Sequence, residues 1–142
     1  IFVHQKDTPY TIKMLNAEVE IICPAGWCVL ERDDDYLSLT RVDGAIDIYY
    51  YLVFNMTPET VLEEEIPDIV ENEKESGLYI SDAIGAKTGV YDTYEVVTEY
   101  GVEALAYTTV KDSMFLVQIF DTTTNRADRA LPEVLERIHI VE

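Results

Sequence analysis

A chain of 142 residues that is 48% hydrophobic and 11% aromatic is long enough for one domain around a single packed core. Twenty-eight Asp+Glu against ten Lys+Arg leave a net charge of −18. A field of that sign repels phosphate backbones and anionic headgroups, which sets nucleic acid and membrane surfaces aside as partners and leaves basic proteins, cationic ligands and divalent cations.

The opening residues, "IFVHQ", carry no initiator Met and point to a processed or trimmed form of something longer. "AEVEIIC" (17–23) and "WCVLE" (27–31) read as strands on either side of a "PAG" corner. Pro24 there has no N–H for a ladder, and Gly26 is free to take positive φ. A hairpin with the loop 24–27 makes Cys23 and Cys28 its closing pair, within reach of a disulfide. Three readings compete for the two cysteines: buried free thiols beside Trp27, a structural disulfide, and redox or metal chemistry. C-x4-C with no second pair and no His cluster is not zinc spacing, and the packing reading is preferred. Asp33, Asp34 and Asp35 form an acidic loop without the alternating ligands and turn glycine of a calcium loop.

"YLSLTRV" (36–42) and "AIDIYYYLVF" (45–54) flank Asp43-Gly44, a hairpin signal in which both turn residues tolerate positive φ. The second strand is apolar at nearly every position, which predicts cover on both faces. A helix follows, with Thr57 as N-cap and Pro58 at its first position. Val61, Leu62, Ile66, Ile69 and Val70 form its apolar stripe, Gly77 a stop, and Pro67 a kink near Glu63. The other face carries Glu59, Glu63, Glu64, Glu65, Asp68, Glu71, Glu73 and Glu75 against Lys74. This is a solvated face or a surface for a basic partner, and Glu63, Glu64, Asp68 and Glu71 are the candidate binding residues.

After "LYISDAI" (78–84), the segments "VYDTYEVVTEY", "VEALAYTTV" and "SMFLVQIF" are joined by connections short enough to force an antiparallel meander. "MFLVQIF" (114–120) is the longest apolar run and has strand length, far short of the ~18 residues of a membrane span. Ala127, Leu131, Val134, Leu135 and Ile138 then recur at helical spacing, with an irregular first turn expected at Pro132. Strands, helix, strands, helix in one domain over 1–142 give an α+β fold, an antiparallel sheet with helices packed on it.

That order, together with "ICPAGW" (22–27), "TPETVLEEEI" (57–66) and "VLERIHI" (134–140), resembles the PsbP-like α/β/α sandwich superfamily. Its members include the extrinsic photosystem II protein, a Ran-binding nuclear import factor and many secreted or lipid-anchored bacterial proteins. The resemblance spans nearly the whole chain, and its sharpest motif is Pro24, Gly26 and Trp27. It implies an extracytoplasmic setting and a non-catalytic role, with no catalytic set to carry over.

The residues themselves agree with that role. There is no G-x-S-x-G elbow, and the two histidines, His4 and His139, lie one near each end. No cofactor motif or metal-ligand set is present. Asp47, inside an apolar strand, is the acid to inspect for paired-carboxylate hydrolysis. Tyr49, Tyr50, Tyr51, Tyr91, Tyr94, Tyr100 and Tyr107 pack with their hydroxyls toward water or line a ligand face. The leading reading is a non-enzymatic extracytoplasmic domain that binds another protein. The alternatives are a small-ligand or cation-binding module and, behind it, a hydrolase.

Overall fold

The structure, a computed structural model, describes residues 2–75 and 84–141. Period-two alternation runs through most of it, and the strands it builds sort into two antiparallel sheets. The smaller has the order β1 (Thr8–Met14), β2 (Ala17–Cys23), β10 (Ile138–Val141). The larger runs β3 (Trp27–Asp33), β4 (Tyr36–Arg41), β5 (Ile46–Phe54), β9 (Ser113–Asp121), β8 (Gly101–Val110), β7 (Tyr91–Thr98), β6 (Ile84–Thr88). The expected meander is β7-β8-β9 in consecutive pairing.

The "PAG" corner is a passage between sheets. Trp27 N–H donates to the Pro24 carbonyl at 3.1 Å and Gly26 takes φ 84°, so the chain turns sharply from β2 into β3. Cys23 therefore pairs with Thr8 in one sheet and Cys28 with Thr40 in the other, and the expected closing pair does not form. Both thiols are free and buried. Burial pushes the Cys23 thiol up to about 11, which keeps it protonated and inert. Titration of unfolded, unreduced protein is expected to find two thiols, against roughly none in the native fold within the mixing time. A count of zero after unfolding would restore the disulfide reading.

The Asp43-Gly44 hairpin is present, but only Gly44 has positive φ (71°). Asp43 works through its carboxylate, which accepts from Ala45 N–H at 3.0 Å and from Arg41 Nε at 2.9 Å. Cover on both faces belongs to the central strands β8 and β9 rather than to β5. Residues 104–108 and 113–117 are buried without a break, whereas β5 alternates buried with half-buried positions. On one side Tyr50, Phe115, Val117 and Ala106 meet Ile12, Val19 and Ile21 of the small sheet and Leu131 and Leu135 of a C-terminal helix. On the other, Leu105, Tyr107, Met114 and Leu116 meet Val61 and Ile66 of the first helix, with Ile69 and Val70 packed around them.

That first helix runs through α1 (Pro58–Thr60), one π turn (Val61–Glu65) and α2 (Ile66–Glu75). Thr57 caps it as expected, accepting from Thr60 N–H at 3.3 Å. The π turn answers Pro67: the wider turn, closed by Ile66 N–H on the Val61 carbonyl, relieves the carbonyl that the pyrrolidine ring would strike. It also sets Val61 and Ile66 on one face and turns Leu62, expected in the stripe, outward to 46% exposure. Gly77 and residues 78–83 lie outside the described residues.

At the C-terminus Ala127, Leu131, Val134 and Leu135 are buried as expected, and a 3-10 turn (Ala127–Ala130) precedes α3 (Leu131–Glu136), with Pro132 in its first turn. Ile138 leaves the helix. It opens β10 and pairs with Ile21.

β3 is the edge of the large sheet and shifts register between Val29 and Glu31, leaving Leu30 47% exposed in a bulge. His4 N–H bonds the Trp27 carbonyl at 2.9 Å, and Lys13 N–H bonds the Asp34 carbonyl at 2.6 Å.

Candidate functional site: an acidic helix and an acid-lined cleft

Glu63, Glu64, Asp68 and Glu71 are all exposed on the first helix, and none of them enters a hydrogen bond or ion pair among the described residues. Glu64, Asp68 and Glu71 follow one another at helical spacing along a single stripe. Like charges so placed repel, and no salt bridge among the described residues involves them.

Glu73 does not belong to that face. Counted from Ile66, it continues the inner stripe through Ile69 and Val70 at three, four and seven residues, and it is half-buried. Across from it stands Glu103 of β8, on the same strand face as Leu105 and Tyr107. The two carboxyls meet in a cleft of about 240 Å³ that Thr98, Gly101, Asp121 and Asn125 also line. Burial, then the hydrogen bond and charge of Glu73, push the Glu103 carboxyl up to about 8. The protonated form of Glu103 is thus favoured at neutral pH. Asp121 is occupied, accepting from Thr123 N–H at 2.9 Å and from Thr124 N–H and Oγ1 at 2.8 Å each.

In the unfolded chain Glu103 ionises near 4.5, whereas in the fold it holds its proton to about 8. The stability this site contributes is therefore full below 4.5 and lost as pH rises through 8. Glu103→Gln keeps an N–H donor for Glu73 and cannot ionise. We expect its urea midpoint to match wild type near about pH 4.5 and to exceed it near about pH 9. The gain should be on the order of 1–2 kcal/mol, the partly solvated cleft screening the rest. Equal midpoints at both pH values would mean that Glu103 holds no such proton.

The remaining candidates scatter. Asp47 lies on the half-exposed face of β5 beside Tyr49, with no hydrogen-bond partner among the described residues. Asp33, Asp34 and Asp35 turn β3 into β4. The Asp33 carboxylate caps Asp34 N–H at 2.8 Å, the backbone carbonyls of Asp34 and Asp35 serve Lys13 and Leu52, and no metal-ligating cluster forms among the described residues. His4 hydrogen-bonds Tyr10 and Thr8, while His139 is exposed on β10 opposite Glu20. The tyrosines pack in pairs: Tyr94 on Tyr107 at 6.0 Å, Tyr36 on Tyr51 at 4.9 Å, and Tyr50 on Phe115 at 6.4 Å between ring centroids. Tyr100 is exposed at the acidic cleft. No described helix is long and apolar enough to cross a membrane.

A scan against protein-family models finds no match, and a search of curated proteins finds none either. Solved structures do match. The solution structure of cyanobacterial PsbP (CyanoP) from Synechocystis sp. PCC 6803 superposes with a TM-score of 0.62 at 13% identity, covering 97% of this chain and 94% of that one. The Ran-binding protein Mog1p of Saccharomyces cerevisiae superposes with a TM-score of 0.52 at 16% identity, covering 96% of this chain and 97% of that one. With near-complete coverage of both chains in each superposition, the chain has the PsbP/Mog1-like α+β fold.

Proposed function

We propose that this chain is a non-enzymatic extracytoplasmic domain that works by binding a basic protein. The observation that carries the reading is the stripe Glu63, Glu64, Asp68 and Glu71, exposed and without ion partners among the described residues. Four carboxylates crowded on one helix cost the free protein stability, and a basic surface relieves that repulsion while gaining speed and orientation in encounter. The protein-binding role of a neighbour, the Ran-binding Mog1p, supports the same kind of work on this fold. The extracytoplasmic setting rests on the family resemblance alone, and fractionation of the native cells tests it.

Immobilised protein should enrich a basic partner from its native source at low ionic strength and release it at high salt, because exposed charges are screened within ~10 Å at 0.1 M. Replacing Glu63, Glu64 and Glu71 by Gln and Asp68 by Asn together should weaken that capture about tenfold or more. If no basic protein is enriched at low salt, the stripe is only a solvated face.

A further inference from the structure

On the opposite face of the large sheet from the acidic helix, a second cavity of about 270 Å³ opens where the two sheets part at the Pro24–Trp27 turn. Tyr50 and Ile48 of β5, Trp27, Val134 of α3, and two arginines, Arg41 and Arg137, line it. Apolar walls with a few convergent polar groups are the usual make-up of a small-molecule site. The volume has room for roughly nine waters at the ~30 Å³ each takes in the liquid, or for one small aromatic molecule.

Three features fix the chemistry of an occupant. Tyr50 is 1% exposed, and its hydroxyl, unpaired among the described residues, keeps its small access to solvent through this cavity. A hydroxyl with no protein partner at the wall of a cavity is met there by water or by an acceptor oxygen of an occupant. Burial raises the phenol's pKa, so it remains an O–H donor throughout the ordinary pH range. Trp27 is half-buried and offers its ring to the same space.

The arginines supply the third feature. Two of the ten Lys+Arg in a chain of net charge −18 converge on this one cavity. Arg41 gives Asp43 only its Nε, at 2.9 and 3.1 Å, which leaves both terminal amino groups unengaged. Glu133 also lines the cavity and takes one terminal amino group of Arg137 at 2.9 Å, which leaves the Arg137 Nε and other amino group for an occupant. Their side chains are 39% and 30% exposed, at the mouth rather than in the depth. Spare guanidinium donors in a fork geometry match a carboxylate.

We propose that this cavity binds a small aromatic carboxylate, its ring against Trp27, its carboxylate held by Arg41 and Arg137, and a second oxygen accepting from Tyr50. The acid enters ring first, and the charge stays at the solvated mouth beside the guanidinium groups. The site is separate from the acidic helix, so this proposal and the protein-binding one stand or fall independently.

The chain's single Trp gives one indole N–H signal in a nitrogen–proton spectrum, a direct probe of the site. We expect para-hydroxybenzoate to shift it saturably with a midpoint below ~1 mM, and the uncharged para-hydroxybenzyl alcohol to bind at least about tenfold more weakly. That comparison needs no variant. Tyr50→Phe should weaken para-hydroxybenzoate by about threefold or more and leave benzoate unchanged, because only the former presents the second oxygen. Arg137→Gln should weaken both acids. The proposal is overturned if neither acid shifts the indole signal by ~10 mM, or if acid and alcohol bind equally.

Discussion

Gly101→Ala is expected to lower the stability of the fold by about 2–4 kcal/mol. Gly101 begins β8 with φ at +150°, a conformation that side chains rarely adopt, and a Cβ there would overlap the backbone carbonyl and the side chain of Asn125. The closeness has a purpose in the fold. Val102 N–H donates to the Asn125 carbonyl at 2.6 Å, and Val102 bridges Arg126, so the loop after β9 is tied to the start of β8. An added methyl must push that loop away and break the tie. Because Gly101 and Asn125 line the same cleft as Glu73 and Glu103, the variant should also expose Glu103 and bring its titration back toward the ordinary carboxylate range. Gly89→Ala is the control. Gly89 also has positive φ (60°) but nothing within 4 Å, so it should cost only about 1 kcal/mol. Equal losses in the two variants would assign the effect to backbone conformation and not to the contact.

Phe115→Ala should cost more, about 3–5 kcal/mol, a large share of the 5–15 kcal/mol typical of a domain. Phe115 is fully buried in β9, the strand covered on both faces, and its ring lies nearly parallel to Tyr50 at an interplanar angle of 15°. It faces the interior between the sheets, where no flexible surface side chain can collapse into the void. Phe120 on the same strand, half-buried and edge-on to Tyr49 at 5.7 Å, should lose only about 1–2 kcal/mol on the same truncation. Urea melts of the two variants check this. Comparable midpoints would mean that the space between the sheets is loosely packed.

Much of this fold was written in local signals. The meander β7-β8-β9 follows from alternation and connections of two residues, and the cap at Thr57 from a Thr-Pro pair, because each depends on neighbours a few positions away. The division into two sheets was not legible. β2 pairs with β10 across more than a hundred residues, and "IHIV" is too short for its alternation to outweigh the helical stripe just before it. β1 alternates as well, with Tyr10, Ile12 and Met14 on the core face and Pro9, Thr11 and Lys13 on the other, but only one of its three core-face residues is fully buried and it is held as a strand by pairing with β2. The Glu73–Glu103 pair was within reach. Glu103 alternates with Leu105 and Tyr107, and Glu73 falls seven residues after Ile66, so each sits where an apolar residue belongs. The long acidic run drew Glu73 to the wrong face, and the π turn before Pro67 reset a helical register that simple counting could not follow.

The edge of the large sheet has a further consequence, for how copies of this chain meet. A bare edge strand is a row of unpaired donors and acceptors onto which another chain can add itself. At the start of β3 the Trp27 carbonyl is already taken by His4 N–H, just past its end the Asp34 carbonyl is taken by Lys13 N–H, and the bulge at Leu30 breaks the spacing between them. Glu31, Arg32 and Asp33, all exposed, complete the strand with charge. An incoming strand finds no straight run of free groups to zip along, so a molecule built mostly of β-structure is kept from growing into a ribbon at this side.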